Sequence, residues 1–522
     1  MQITLKNVLL SIIFLYILYC SIVIGNMWDS AYHLAQGKNK LNYLFSLGKI
    51  NKELVWDKYI PGISFAITAF FTSFVPKKFE FEMLHILNMF ISLSGVYGIS
   101  KITKILFNKR VSYIVFLLLL TYPAFFGHVS INPKDTIIAI SFIWVGYFVL
   151  KYLINNNKYQ NNINLILKIS FFIALGTGVR LGFSAVIIPF LIFLVLEIFY
   201  FKKFINKEFS NKIFFYDFIR VIIFSYILII IFWPQVHANI FTLPFKFFLE
   251  TIEIVPGAPA AMLSGQIFLT SNTPKNYILF SFILKTPEYI LLLYSLSIYF
   301  LITKNVFFTE KYLNFNYKLF FLLFTMSLTY LLFYVSPYPL YDGMRLFLYI
   351  IPFFLIIPCL GLDYIISNIK LKSCKFYLVL ISFLGIIFFV NFLSLTPYHY
   401  VYFNYLNGKN SEAVFKHEND YLGTSINELI KKSEFLNKKR NKLAFCGASE
   451  GIIEIALNKH GFKQVELVDR NNNYDYILLV NRVNWDTISN LNTAKTCFNS
   501  YPGDNISAVK RNGMVLSNIR KY

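Results

Sequence analysis

Long uninterrupted apolar runs constrain the fold of this chain more than any other feature of its sequence. Hydrophobic residues make up 56% of its 522 residues and charged residues only 15%, whereas soluble domains average about 25% charged residues. Backbone groups in lipid must find hydrogen bonds within the protein, and the runs do not alternate polar with apolar residues, so they predict membrane-spanning helices. The sequence therefore predicts an all-α polytopic membrane protein.

About eleven runs have the length and apolar character of transmembrane helices. The first is interpreted as a retained helix rather than a cleaved signal, because no small-x-small cleavage site precedes Gly25. The predicted helices cover about 8–25, 82–100, 111–127, 136–152, 164–178, 182–200, 217–234, 286–302, 318–335, 346–366 and 376–395.

Charged residues return after residue 395, which divides the chain into a transmembrane domain at 1–395 and a tail at 396–522. The tail alternates β-type runs with helical patterns, so it predicts a small soluble α/β domain. Its β-type runs are 442–446, 464–468, 476–480 and 508–516, and its helical patterns are 424–436 and 449–459.

The distribution of Lys and Arg predicts which side of the membrane each loop occupies. Basic residues cluster in alternate loops, and the positive-inside rule places those loops in the cytoplasm. This assignment requires the apolar stretch 61–75 to lie in the membrane interface, since a crossing there would place the basic cluster at 101–110 outside. The N-terminus is then cytoplasmic and the C-terminal domain extracytoplasmic, as expected for a protein of the bacterial inner (plasma) membrane. The predicted outer loops are 26–81, 128–135, 235–285 and 336–345.

The net charge of +22 has the same explanation: basic loops lie against anionic membrane lipid, and no nucleic-acid partner is expected. The five cysteines show no metal-binding spacing. Cys446 and Cys497 both lie in the tail. They form a disulfide if the tail is extracytoplasmic, or they remain buried free thiols.

Most of the unusual polar residues fall in the predicted outer loops, where ionisable groups next to lipid are costly unless they have a function. Asp29 follows the first helix and would share a helical face with Tyr32 and His33. A carboxylate at this boundary can act as a general base. The alternative is that Asp29 caps a loop helix.

A second polar group precedes the fourth predicted helix. Lys134 could hold a phosphate, and Asp135 could orient an acceptor or a cation. The alternative is an Asn132-Pro133 turn in which Asp135 caps the helix. Asp29, Asp135 and His128 could also bind a divalent metal ion, although nothing in their spacing requires it, and a lone His is more often a hydrogen-bonding loop residue.

Two arginines extend this set of candidates. Arg345 begins the tenth predicted helix from the outer side and could bind a phosphate through two parallel hydrogen bonds. Arg180 lies between two short helices, and either arginine could instead snorkel at a helix end. The polar residues beside these charges are candidate substrate-binding residues: Tyr32, His33, His128, Asn132, Tyr341 and Asp342.

The order of these motifs resembles that of the membrane glycosyltransferases of the GT-C class, in particular the bacterial relatives of protein O-mannosyltransferase and aminoarabinose transferase. Asp29 and Asp135 match the family's acidic residues in the first outer loop and at the start of helix four. Ser30 is a departure, since the family's first loop often carries two adjacent acids, and it argues against a metal site built on such a pair. Further matching motifs lie at 61–62, 178–182, 274–277, 285–287, 341–345, 400–404 and 418–421, so the resemblance covers about residues 1–425.

The resemblance implies an inverting glycosyltransferase that moves a hexose or pentose from a polyprenyl-phosphate-linked donor to an acceptor hydroxyl. The acceptor would be a lipid, a glycan or a protein at the outer face of the membrane, and the only cofactor considered is a divalent metal ion. Asp29 would be the catalytic base and Asp135 would orient the acceptor, while Arg345, Arg180 and Lys134 would bind the donor phosphate. The alternatives are a lipid or glycan transporter or flippase without transferase activity, and a non-catalytic membrane anchor.

Overall fold

The fold was analysed in a computed structural model, which describes residues 5–521 apart from 53, 55–56, 156–161, 206–208, 254–256 and 336–338. Parts of three predicted outer loops, at 53, 55–56, 254–256 and 336–338, and residue 522 of the predicted tail therefore lie outside the described residues. Helices dominate the first 394 residues. They are α1 (Leu5–Val23), α2 (Ser30–Phe45), α3 (Ile63–Thr72), α4 (Glu80–Leu106), α5 (Lys109–Leu120), α6 (Pro123–Phe126), α7 (Asp135–Asn155), α8 (Ile163–Val179), α9 (Phe183–Val186), α10 (Ile188–Leu196), α11 (Asn211–Ile231), α12 (Leu243–Glu253), α13 (Tyr277–Lys285), α14 (Glu288–Thr303), α15 (Asn305–Lys311), α16 (Phe315–Val335), α17 (Ile351–Phe354), α18 (Ile356–Ser367) and α19 (Lys372–Ser394).

The predicted class, a helical membrane domain followed by a small α/β domain, is confirmed by this arrangement. Each of the predicted membrane runs coincides with a helical segment. Within the described ranges, however, six helices are long and apolar enough to cross a membrane, or up to seven if α13 and α14, which meet at 111°, form one broken span. Shorter apolar helices, among them α8 and α18, fall below that length. The predicted count of eleven spans is thus not confirmed.

Prolines account for several interruptions that the apolar runs do not reveal. The predicted helix at 111–127 is divided into α5 and α6, and Pro123 is the first residue of α6. The predicted helix at 346–366 is likewise divided into α17 and α18, with Pro352 in the first turn of α17. Proline lacks the N–H that a helix interior needs and clashes with the preceding turn, so a new helix begins at each of these positions.

The apolar stretch 61–75 forms α3, which has ten residues. At 1.5 Å per residue α3 is about 15 Å long, half the hydrocarbon thickness of a bilayer, so it does not span the membrane. It packs against α2, α4 and α8. The backbone N–H of Gly62 donates to the carbonyl of Gly178 (2.5 Å), which fixes α3 to the end of α8.

A five-stranded sheet forms the centre of the tail. Strands run in the order β4-β3-β5-β7-β6, with β3 parallel to β4 and β5 and the remaining pairs antiparallel. The predicted strand at 508–516 is wrong in its extent: the segment is a hairpin that turns at Asn512-Gly513, where both residues have positive φ angles. The elements are α20 (Ala413–Lys416), α21 (Ile426–Lys432), β3 (Asn441–Cys446), α22 (Glu450–His460), β4 (Val465–Leu467), β5 (Tyr476–Val480), α23 (Cys497–Ser500), β6 (Asp504–Arg511) and β7 (Met514–Lys521), preceded by a hairpin of β1 (Ala260–Leu263) and β2 (Gln266–Leu269) in the long outer loop.

The start of the tail packs directly onto two loops of the membrane domain. A side chain at Gly25, just after α1, would collide with the backbone carbonyl of Thr424. A side chain at Gly127, just after α6, would collide with the backbone nitrogen of Tyr400. Backbone therefore lies against backbone at two separate points of this junction, and the tail cannot move relative to these helix ends without breaking both contacts.

Cys446 and Cys497 form a disulfide that joins the end of β3 to the start of α23. The cross-link closes a loop with a sequence separation of 51, and loop-closure entropy for that length corresponds to about 4 kcal/mol. We expect the double substitution C446S/C497S to lower the free energy of unfolding of the tail by about this amount. Pulse proteolysis of the full chain in detergent across a urea series measures the change.

Cys374→Ser is the matched control, because Cys374 is a free buried thiol in α19. This control should leave the urea midpoint of the tail unchanged. An equal midpoint for wild type and C446S/C497S would show that the disulfide does not stabilise the tail.

Candidate active site

The candidate active site lies where the ends of several helices of the membrane domain meet. Asp29 immediately precedes α2, Asp135 is the first residue of α7, and Arg180 immediately follows α8. Arg345 begins a short 3-10 turn ahead of α17. Four segments that are far apart in the sequence thus bring acidic and basic side chains into one cluster.

The Asn132-Pro133 turn orients Asp135. The side-chain oxygen of Asn132 accepts the backbone N–H groups of Lys134 (3.3 Å) and Asp135 (3.0 Å). Its amide nitrogen donates to Asp135 Oδ2 (2.9 Å). The turn therefore holds the Asp135 carboxylate inward and leaves the side chain of Lys134 at the edge of the cluster.

Asp135 is buried between two arginines. Arg345 Nε lies 3.1 Å from Asp135 Oδ2, and Arg180 Nη2 lies 3.5 Å from Asp135 Oδ1. The Asp135 side chain is only 4% exposed, and an isolated buried carboxylate would be strongly unfavourable. The two guanidinium groups offset that cost, and removal of one partner from a buried pair costs about 3–5 kcal/mol.

Asp29 is the most accessible carboxylate of the cluster. Its side chain is 43% exposed and lies 3.4 Å from Lys134 Nζ. Burial by itself would raise the pKa of Asp29, but the positive charges of Lys134 and Arg345 hold that pKa well below its ordinary value. Asp29 is consequently a carboxylate at neutral pH, and it faces the side from which a ligand can approach.

Asp342 links Arg345 to the tail. Asp342 Oδ2 lies 2.8 Å from Arg345 Nη1, and Asp342 Oδ1 lies 3.2 Å from Arg482 Nη2. The backbone of Asp342 has a φ angle of 55°, a conformation that is uncommon for residues other than glycine but accessible to Asp. Arg482 also lies 3.4 Å from Glu418 Oε1. The charged cluster thus continues into the C-terminal domain.

His33 and Tyr32 lie on α2, next to Asp29. His33 is buried, stacks on Phe65 with ring centres 4.5 Å apart, and its Nδ1 has no hydrogen-bond partner within the described residues. Burial, reinforced by the charge of Lys134, lowers the pKa of His33 to about 3, so the imidazole is neutral at physiological pH. Tyr32 is half-buried, and its hydroxyl accepts a hydrogen bond from Gln36 (3.1 Å).

His128 and Tyr341 are placed deeper in the protein. His128 is 1% exposed; its Nδ1 lies 2.9 Å from the Ala124 carbonyl and its Nε2 lies 3.3 Å from the Tyr421 hydroxyl. This is the arrangement of a hydrogen-bonded loop histidine. The Tyr341 ring lies under the Arg345 guanidinium at 5.2 Å, and its hydroxyl accepts a hydrogen bond from Arg345 Nη2 (3.5 Å).

Sequence reasoning missed Arg482 as a site residue and used Glu418 only as part of a motif. Arg482 is 140 residues from its partner Asp342 in the sequence and belongs to a region that the family resemblance does not cover. No local pattern identifies it. The contact exists only because the tail packs against the membrane domain beside the cluster.

The predicted metal ligands do not form a metal site. Among the residues that the structure describes, no three His, Cys, Asp or Glu side chains are grouped so that they could hold a cation. Asp29 faces Lys134, Asp135 faces Arg180 and Arg345, and both ring nitrogens of His128 already have partners. These donor atoms do not fit a divalent ion, and no step below depends on one.

An apolar cavity of about 390 Å³ lies among α7, α8, α10 and α11. It follows α8 from Ile166 to Thr177, about 16 Å along the helix axis, and ends within one turn of Arg180. Side chains of α7, α9, α10 and α11 form its other walls; most are apolar, and the polar ones are Tyr152, Ser184, Asp217, Ser225 and Tyr226. The apolar cavity therefore follows α8, and Arg180 of the cluster comes directly after the end of that helix.

Comparisons with known proteins bear on the fold. No protein-family model matches the chain, and no curated protein sequence matches it. Among solved structures, it is similar to ArnT from Cupriavidus metallidurans bound to undecaprenyl phosphate, with 11% identity, a TM-score of 0.51, and coverage of 98% of this chain and 97% of ArnT. The apo state of ArnT gives 12% identity with the same TM-score and coverage.

A further match is the archaeal oligosaccharyltransferase AglB from Archaeoglobus fulgidus in complex with an inhibitory peptide and a dolichol-phosphate. It has 10% identity and a TM-score of 0.46, and the match covers 91% of this chain and 69% of AglB. The near-complete mutual coverage with ArnT, an aminoarabinose transferase, confirms the fold that the motif order predicts. The chain therefore has the fold of the GT-C class of membrane glycosyltransferases.

Proposed function

We propose that this protein is an inverting glycosyltransferase that moves a sugar from a polyprenyl-phosphate-linked donor to an acceptor hydroxyl at the outer face of the membrane. One observation carries the proposal: an apolar cavity follows α8 toward the cluster of Asp29, Lys134, Asp135, Arg180 and Arg345, and Arg180 is three residues beyond Thr177, the last residue of α8 that lines the cavity. The fold of ArnT, whose structure contains undecaprenyl phosphate, supports the same class of donor.

The donor requires two surfaces that adjoin in this structure. Its polyprenyl chain would occupy the apolar cavity along α8, where burial of hydrocarbon is favourable. Its phosphate would lie among Arg180, Arg345 and Lys134, which supply charge-assisted donors. Arg345 is held by Asp135 and Asp342, so its guanidinium is already oriented when the donor arrives.

The acceptor hydroxyl would approach Asp29, the exposed carboxylate. The oxygen of the acceptor hydroxyl attacks the anomeric carbon from the side opposite the phosphate, so the configuration at that carbon inverts. The carbon–oxygen bond to phosphate breaks, and the polyprenyl phosphate leaves with the bonding electron pair. The hydroxyl proton passes to Asp29, which is ionised at neutral pH because of the positive charge of Lys134. Asp135 acts through the two arginines rather than on the acceptor.

The disulfide supports an extracytoplasmic C-terminal domain, because such bonds persist in oxidising compartments. With the tail packed over the outer helix ends, the reaction would take place on that face of the bacterial inner membrane and the N-terminus would be cytoplasmic. The transferred sugar would be a hexose or a pentose, and the acceptor a lipid, a glycan or a protein.

Asp29→Asn should reduce sugar transfer by about 10²–10⁴-fold, because the amide cannot accept the hydroxyl proton. The assay follows transfer of labelled sugar from undecaprenyl-phosphate-linked hexose and pentose donors into membrane acceptors. Glu250→Gln is the matched control, since Glu250 is a carboxylate of an outer loop that pairs with Lys58 rather than with the cluster. Unchanged transfer by a well-folded Asp29→Asn would reject Asp29 as the base.

Arg345→Lys should weaken binding of undecaprenyl phosphate, because an ammonium group cannot replace a guanidinium that bridges Asp135, Asp342 and a phosphate. A ligand that binds the folded state raises the thermal midpoint. We therefore expect undecaprenyl phosphate to raise the midpoint of the wild type clearly and that of Arg345→Lys much less. Arg440→Lys, which alters an exposed arginine of the tail that pairs with Glu466, should respond like the wild type. Equal shifts in all three proteins would contradict a role for Arg345 in phosphate binding.

Lys134→Met should move the acidic limb of the pH–rate profile to higher pH. The pKa of Asp29 is held low by Lys134 and the other cations, so the active carboxylate persists above that pKa and is lost only as the pH falls through it. Without the positive charge of Lys134, the pKa of Asp29 rises toward or above the ordinary value of about 3.9. Lys134→Arg retains the charge and should retain the wild-type limb. If Lys134→Met and wild type share one limb, Asp29 is not the titrating base.

A further inference from the structure

We infer that Arg482 of the C-terminal domain is a positioning residue of the active site, and that the Cys446–Cys497 disulfide keeps it in place. This inference rests on the proposed transferase function and extends it. It makes the tail a necessary part of the catalytic unit rather than an appended domain.

Arg482 joins the charged cluster through direct contacts. The residue is 5% exposed, and its Nη2 lies 3.2 Å from Asp342 Oδ1. Its Nε lies 3.4 Å from Glu418 Oε1, and its Nη1 donates to the backbone carbonyl of Tyr421 (2.6 Å). A buried arginine with this many polar contacts has one orientation, and it fixes the orientation of Asp342 in turn.

Arg482 also contacts the loop that carries the proposed base. Its guanidinium lies 5.1 Å from the ring centre of Trp28, the residue before Asp29. Trp485, three residues after Arg482, packs on Trp28 with ring centres 5.8 Å apart. One segment of the tail thus touches both sides of the cluster: the Asp342–Arg345 side through charge, and the Asp29 side through aromatic contact.

The disulfide lies against the segment that carries Arg482. The backbone N–H of Cys497 donates to the carbonyl of Arg482 (2.8 Å), and Val483 pairs with Thr496 in a β-bridge. The other half of the cross-link, Cys446, ends β3, which is hydrogen-bonded to β5 just before Arg482. Reduction would release this segment from β3 while leaving the sheet itself paired.

The physical consequence concerns the two ion pairs that Asp342 forms. Asp342 is shared by Arg345 and Arg482. If Arg482 is replaced by a neutral residue or displaced, Asp342 interacts with Arg345 alone and draws it away from Asp135 and the phosphate position. A misplacement of about 1 Å can lower a rate by about 100-fold. Because Arg345 is a proposed ligand of the donor phosphate, its displacement lowers kcat/KM for the donor, although Arg482 itself contacts Asp342 rather than Asp135 or Arg180.

Arg511 provides a matched control in the same domain. It ties the β6–β7 hairpin to α21 through Glu428 (2.5 Å) and to the start of the tail, two residues after α19, through the carbonyl of Thr396 (2.7 Å). Its side chain is 18% exposed, and its contacts among the described residues do not include the cluster. Loosened packing of the tail alone would therefore affect Arg482→Gln and Arg511→Gln alike, whereas a positioning role affects only the first.

The experiment compares Arg482→Gln, Arg482→Lys, Arg511→Gln and C446S/C497S in the full-length protein. Transfer from undecaprenyl-phosphate-linked sugars should fall about 100-fold in kcat/KM for Arg482→Gln, and Arg482→Lys should recover part of the loss. Arg511→Gln should keep the wild-type kcat/KM. Dithiothreitol should inhibit the wild type but cause no additional loss in Arg482→Gln. Equal losses of activity in Arg482→Gln and Arg511→Gln would overturn the inference. So would a further inhibition of Arg482→Gln by dithiothreitol that is as large as the inhibition of the wild type.

A structural readout separates this inference from the proposed function. The Trp28–Trp485 pair gives a near-ultraviolet circular dichroism signal, which is identified as the part of the spectrum that disappears in Trp485→Phe. This signal should be lost in Arg482→Gln and in the reduced wild type. It should be kept in Arg511→Gln. If the wild type transfers no sugar but this signal follows the expected pattern, the proposed function fails while the positioning by Arg482 stands. If the signal persists in Arg482→Gln and after reduction, the positioning itself is wrong.

Discussion

The buried carboxylate of Asp135 organises the end of the membrane domain that meets the tail. A buried negative charge is tolerated only with cations nearby. These cations are Arg180 at the end of α8 and Arg345 at the start of the segment before α17. Three distant parts of the chain must therefore meet before the carboxylate is stabilised. The same requirement fixes the positions of both arginines, so the stability of the fold and the preorganisation of the proposed phosphate site have one origin.

Hydrophobic periodicity predicted where helices occur, because lipid permits no other way to satisfy the backbone of an apolar run. It did not predict how the runs are interrupted. Pro123 and Pro352 lie inside apolar runs, and hydropathy averages over them. The tail showed the opposite error: the alternation through residues 508–516 concealed the turn at Asn512-Gly513, since two paired strands have the same period as one long strand.

For the candidate site, the predicted side of the membrane on which each loop lies was sufficient to predict which charged residues lie together. Asp29, Lys134, Asp135, Arg180 and Arg345 all follow or precede helices that end on one side, so their convergence follows from topology. Which acid pairs with which base does not follow, since it depends on side-chain packing between segments. Arg482 could not be found at all, because its role arises from the docking of a domain whose own sequence carries no sign of it.

Gly25 and Gly127 meet the backbone of the tail at Thr424 and Tyr400, and this has a consequence for the evolution of the chain. The tail is not a module that recombination can exchange for an unrelated domain, because its first thirty or so residues are shaped to two particular loops of the membrane domain. The two parts are expected to diverge together. A new acceptor specificity would then arise by substitution in loops at the edge of this junction. The residues that meet across the junction would stay constant.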